Sequence, residues 1–198
     1  MKEIDNFDFI SSFLNFQDKE DDFFDVEILR RGKDNPNLPS ANYLVKSYFI
    51  QSISQLFDRK DEIINLCKTF NARAYINMTR KSFRKTMMLA LSITAQRAYM
   101  GDFKKPYKIF HTAVGKVEGD DKRWIIDVDD DDIEKCYELC DFINEGCKPD
   151  NLNKTICILP TMNGFHIISK PFELFKFKNR YNEIEVKKNH LTLLYYSK

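Results

Sequence analysis

Residues 122–128, KRWIIDV, run directly into Asp129-Asp130-Asp131-Asp132 and then into a helical stripe, and this segment limits the fold more than any other. Trp124, Ile125, Ile126 and Val128 make a short apolar run of the kind that forms a buried strand. Asp131 or Asp132 can cap the helix that follows, in which Ile133, Cys136, Tyr137, Cys140 and Ile143 recur at three and four residues. Gly146 and Pro149 end it. TICILPT (155–161) and GFHIISKPF (164–172) read as strands meeting at a Met162-Asn163-Gly164 turn. EIEVKK (183–188) and LTLLYY (191–196) read as the last strands, so residues 120–198 spell β-α-β-β-β-β.

Upstream the pattern is mixed. Residues 1–25 are acidic and carry Phe7, Phe9, Phe13, Phe16, Phe23 and Phe24, which suits an amphipathic opening helix or a loosely attached arm. FDVEILRR (24–31) and YLVKSYFI (43–50) are strands that pair as a hairpin across a loop rich in Gly, Pro, Asn and Ser. Ser52 or Ser54 caps a helix through Thr69, and ARAYINM (72–78) is a short strand. Ser82 caps a further helix to about Met100, with Phe83, Met87, Leu91, Ala95 and Ala98 on one face. A loop around Pro106 follows.

A chain of 198 residues suits one domain, here an N-terminal mixed subdomain (1–119) and a β-rich core (120–198). With 43% hydrophobic and 31% charged residues the composition is that of a soluble globular protein. The opening residues lack a secretory pattern, no apolar run is long enough to span a membrane, and five cysteines follow no disulfide framework. The expectation is a cytoplasmic protein with no membrane partner. Net charge is only +1, but it is unevenly spread: ten Lys/Arg and one acid lie in 73–116, thirteen acids and four bases in 117–150, and eight bases and three acids from 151 onward. A basic surface around an acidic knot suits a metal-dependent enzyme acting on phosphates, and blockwise variation of solvated charge looks the same.

Three features carry chemistry. Asp127 and Asp129 lie two apart at the end of a strand, so their carboxylates project on one face and offer hard oxygens to Mg²⁺ or Mn²⁺. The alternative is an acidic turn that caps the next helix. His166 sits in an apolar strand just after Gly164, which would let a ligand approach the backbone, and Lys170 would share its face if the strand stays regular. A lone strand histidine is otherwise structural. Glu183 and Glu185 share a face with Lys187, and either acid could complete a carboxylate cluster or belong to a half-exposed strand.

In that order, an hhDhD strand, a strand opening Gly-x-His and a strand bearing an acid resemble the three motifs of archaeo-eukaryotic primases and primase-polymerases. The resemblance covers about 120–198. It implies an α+β fold with a mixed or antiparallel sheet, an RRM-like catalytic core and flanking helices. It also implies metal-binding catalytic roles for Asp127, Asp129 and Glu185 (or Glu183), and nucleotide binding by Gly164, His166, Lys170 and Lys188. Arg73 and the basic segment Arg80, Lys81, Arg84 and Lys85 would contact nucleic acid. The implied activity is nucleotidyl transfer from nucleoside triphosphates on a single-stranded DNA or RNA template, with Mg²⁺ or Mn²⁺ and with any helicase on another chain. The sequence departs from the family in having Gly164 where Ser or Thr is usual, and in its third motif. A catalytically silent single-strand-binding module and a metal-dependent nuclease are the competing readings. A DxD glycosyltransferase would need a nucleotide-sugar half that the chain lacks. No P-loop, HExxH or GxSxG is present.

Overall fold

Residues 3–18, 20–38, 41–150 and 153–197 are described by a computed structural model of the chain. The Phe-rich opening is docked: strand β1 (Glu3–Asp5) leads into helix α1 (Phe7–Ser11), whose Phe7 and Ile10 are fully buried. Strands β2 (Asp22–Arg31) and β3 (Asn42–Ile50) form the expected hairpin, in register from Phe24↔Ile50 to Arg31↔Asn42 with one shift after Ile28. Positions 39 and 40 of the loop between them lie outside the described residues.

The helix expected after Ser52 divides at Arg59 into α2 (Ile53–Asp58) and α3 (Lys60–Phe70). The Ser52 side chain accepts from the Gln55 N–H, and α3 closes on Asn71 in the left-handed conformation. Strand β4 (Arg73–Asn77) is buried throughout. The two-residue strand β5 (Lys81–Ser82) then opens α4 (Phe83–Tyr99), capped as expected by the Ser82 side chain on the Lys85 N–H. A single 3₁₀ turn at Pro106–Lys108 runs into α5 (Ile109–Lys116) where the sequence suggests only loop. Thr112, Val114 and Gly115 are poor helix formers, and α5 is held by burial of Ala113 and Val114.

Strand β6 (Trp124–Val128) and helix α6 (Ile133–Asp141) follow the sequence closely, with Asp132 as the cap that accepts from the Glu134 N–H. After α6 come β7 (Thr155–Pro160), β8 (Phe165–Ser169), helix α7 (Leu174–Arg180), β9 (Glu185–Lys188) and β10 (Leu191–Ser197). Helix α7 corrects the expected β-α-β-β-β-β order. It is anchored by Phe177, which is fully buried and packs on Phe172 and Tyr181.

The architecture is α+β with two antiparallel sheets. One has the order β1-β10-β4-β2-β3, with β5 beside β2, and the other the order β7-β8-β6-β9. The second sheet with α6 and α7 is a β-α-β-β-α-β unit. The chain is not divided cleanly at 119/120, because β10 returns to the first sheet between β1 and β4. Alternation along β6 and β8 sends Ile126, Val128 and Ile167 into a core with Cys136, Leu139, Ile143 and Phe177. Ile125 and Ile168 enter a larger core with Val26, Ile28 and Ile76 of the first sheet and Ile63 and Cys67 of α3. Asp127 and His166 share the face of Ile125 and Ile168, so strand alternation alone aims them toward the first sheet.

The apolar stripe of α4 is not buried as its spacing suggests. Phe83 stacks on Phe23 at 4.3 Å at the root of the helix, but Met87 and Leu91 are 58% and 65% exposed and only Thr86 is fully buried. Beyond its first turn α4 leaves the sheet and packs along α5. Among the described residues no helix is long and apolar enough to cross a membrane.

Candidate functional site

The site is assembled at one register position of the second sheet. Asp127 of β6 stands between His166 of β8 and Glu185 of β9, its Cα partners on either side. Antiparallel pairing puts directly opposed side chains on the same face. His166 Nε2 approaches Asp127 Oδ1 at 3.2 Å, and Lys187 Nζ donates to Asp127 Oδ2. Lys187 also reaches Glu185 Oε2 at 3.2 Å. The other ring nitrogen of His166, Nδ1, lies 2.8 Å from the hydroxyl of Thr192, a fully buried residue of β10. Asp127 on one ring nitrogen and the Thr192 hydroxyl on the other hold the His166 ring from both sheets. The hydrogen bond from His166 and the ammonium of Lys187 hold the Asp127 carboxyl well below the usual carboxylate range, against the opposing effect of its burial.

Between the sheets lies a cavity of about 300 Å³. Asp127, Asp129, Asn163, His166 and Lys187 line it from the second sheet, and Arg31, Lys33, Arg73 and Tyr75 from the first. His190 and Leu191 close it where β9 passes into β10. Arg31 donates to the Tyr75 hydroxyl at 3.2 Å. Arg73 is clamped by two hydrogen bonds to Asp34, at 2.7 and 2.6 Å, and lies over the Tyr196 ring at 4.7 Å. Among the charged residues of the wall, four cations face two carboxylates.

Several sequence expectations change. Lys188 is on the other face of β9, over the Trp124 ring at 4.6 Å, and Lys187 takes the place in the cavity. Lys170 lies past the end of β8, exposed, and does not line the cavity. At Gly164, φ is +151°, and a Cβ there would stand 2.1 Å from the Val128 carbonyl oxygen and 2.7 Å from the Asp130 nitrogen. The chain's own Asp129 loop, not a ligand, is what requires this glycine. Arg80 and Lys81 are buried: Arg80 pairs with Asp22 at 3.3 Å, and Lys81 donates to the Val114 carbonyl at 2.7 Å. Neither faces solvent as a strand-binding residue would. Arg84 and Lys85 are exposed, with Lys85 paired to Asp120. Sequence reasoning missed Arg31, Lys33 and Thr192, and it put Lys187 on the face of Glu185 without giving it a role in the cavity. Lys187 was within reach of alternation, since Ile125↔Lys187 and Asp127↔Glu185 are successive same-face pairs.

Among the described residues no three His, Cys, Asp or Glu side chains cluster closely enough to hold a metal alone. Glu185 is turned outward, two-thirds exposed, and is bridged to Asp127 by Lys187 rather than converging on the cavity. Glu183 is also exposed and precedes β9. Mg²⁺ commonly takes one or two carboxylates and completes its shell with water and substrate phosphates. Asp127 and Asp129 both line the cavity, the two Asp127 oxygens are engaged by His166 and Lys187, and the third acid expected from the sequence does not join them.

Comparison with protein-family models, with curated proteins and with solved structures gave no match for this chain.

Proposed function

We propose that the chain binds a nucleoside triphosphate between its two sheets and acts as a primase-polymerase-like nucleotidyltransferase on a single-stranded template. The observation that carries this reading is the convergence of Asp127, Asp129 and His166 with Arg31, Lys33, Arg73 and Lys187 on one cavity. The β-α-β-β-α-β unit that presents Asp127, Asp129, His166 and Lys187 supports an RRM-like catalytic core. Asp127 and Asp129 would hold Mg²⁺ or Mn²⁺, which supplies charge neutralisation for displacement of pyrophosphate. Lys187 would exchange Asp127 for a phosphate oxygen, and Arg31, Lys33 and His166 would add donors to the same polyanion. Thr192 would keep the His166 ring oriented while it does so.

The occupation of Asp127 by Lys187, with Glu185 directed away, favours one second reading: a module that binds nucleotide or single strand without turnover. Incubation with a primed single strand, nucleoside triphosphates and Mn²⁺ or Mg²⁺ separates the two. Extension that is lost in Asp129→Asn supports the enzyme. Triphosphate binding by folded protein with no extension would leave the binding module.

A further inference from the structure

The tip of the α4–α5 hairpin stands clear of both sheets, and every residue from 98 to 108 is exposed. Three rings sit there in water: Tyr99 at 95%, Phe103 at 74% and Tyr107 at 72% exposure. Grouped large apolar side chains without a cover mark a contact surface. Lys104, Lys105 and Lys108 are interleaved with these rings. Asp102 is the only acid between 97 and 108, and it is already engaged by Arg97 at 3.0 Å and by the Lys104 N–H at 3.1 Å. Arg97 also donates to the Lys104 carbonyl, so the turn is braced by its own hydrogen bonds. The positive backbone angles of Gly101 and Lys105, 67° and 51°, shape it.

We infer that this tip binds single-stranded nucleic acid, with the rings stacking on bases and the lysines meeting phosphates. Aromatic faces alternating with cations suit a flexible polyanion with exposed bases, because every base offers a π-face whatever the sequence. The charge argues against a second copy of the chain: four cations and one acid between 97 and 108 leave each tip at net +3, and apposed tips repel. Of the strand contacts expected from the sequence, Arg80 and Lys81 are buried, Arg73 is clamped by Asp34 and Lys85 is paired with Asp120, which leaves Arg84 exposed. The inference gains its purpose from the nucleotidyltransferase reading, but its test is independent of the cavity.

The measurement is anisotropy of a labelled single-stranded oligonucleotide over a range of salt, without nucleotide or metal. Variants are Tyr99→Ala/Phe103→Ala/Tyr107→Ala and Lys104→Gln/Lys105→Gln/Lys108→Gln. Losing even one stack weakens binding about tenfold, and three rings should cost at least that. The lysine variant should flatten the slope of log K against log salt by about 2. Melting temperatures should stay at the wild-type value, because these side chains are exposed, and triphosphate affinity should be unchanged in both. Unchanged strand affinity and slope in both variants, or no strand binding by the wild type, overturns the inference. So does a self-association lost in the ring variant while strand affinity is kept. Strand binding by the wild type without any triphosphate binding would count against the cavity reading alone.

Discussion

Replacing Asp127 by Asn tests how the site is held. From sequence, two neighbouring carboxylates without a metal repel, and neutralising one should leave the protein as stable or more so. The structure reverses that sign. Asp127 is 17% exposed in its side chain, and its two oxygens face His166 and Lys187. Its carboxyl is held below the usual range, with the His166 hydrogen bond as the largest cause. A group depressed in the folded state stabilises it above the unfolded-state value and loses that contribution as pH falls through the folded value. Asn keeps the shape but leaves Lys187 with only the exposed Glu185 carboxylate as a counter-charge. A hydrogen bond to a charged group contributes about 1.5–3 kcal/mol, so a loss of about 2 kcal/mol is expected. For a chain of this size that lowers Tm by about 4–8 °C. Thermal unfolding in metal-free buffer should show this gap at pH 7 and a shrinking gap as pH drops below about 4. A variant melting with the wild type at pH 7, or a gap indifferent to pH, would refute the pairing.

Gly164→Ala should destabilise by about 2 kcal/mol or more, because the new Cβ meets the Val128 carbonyl and the Asp130 backbone at a positive φ; urea unfolding measures it, and a neutral result would mean the Asp129 loop moves freely. His166→Ala should weaken triphosphate binding about tenfold by titration calorimetry while single-strand affinity is kept; equal loss of both affinities would make His166 a structural residue. Asp25 is buried with Oδ1 unpaired among the described residues, and burial, aided by Glu27, pushes its carboxyl up to about 7. A raised acid lowers stability as pH rises from about 4 to 7. Asp25→Asn should therefore remove that slope and gain up to about 4 kcal/mol at pH 8, and an unchanged slope in urea titrations would show that Asp25 does not titrate there.

What the sequence revealed was local. The 122–128 strand, the Ser82 and Asp132 caps and the 24–50 hairpin follow from neighbours within a few residues, and all are present. Asp127, Asp129 and His166 reach one cavity because alternation and antiparallel register carry them there. What stayed hidden depends on distant pairing. Nothing in LTLLYY says that β10 leaves β9 for the edge of β4, yet that crossing brings Thr192 to His166. Arg31 and Lys33 enter the cavity from a strand about a hundred residues away from Asp127. Arg80 and Lys81 read as solvent charge because burial of a cation is rare without a partner, and the partners, Asp22 and the Val114 carbonyl, come from separate elements. Met87 and Leu91 have the spacing of a buried stripe, and periodicity does not say whether a surface is there to cover it.

The central claim, that Asp127 and Asp129 take a metal together with a nucleotide's phosphates, is tested most directly by diffraction from crystals soaked in Mn²⁺ and a non-hydrolysable nucleoside triphosphate. The account predicts an anomalous peak between the Asp127 and Asp129 carboxylates, with phosphate oxygens on His166 and Lys187 and the Lys187–Asp127 contact broken. A cavity in which Lys187 stays on Asp127, with no manganese and no triphosphate at concentrations that saturate the protein in solution, would contradict it.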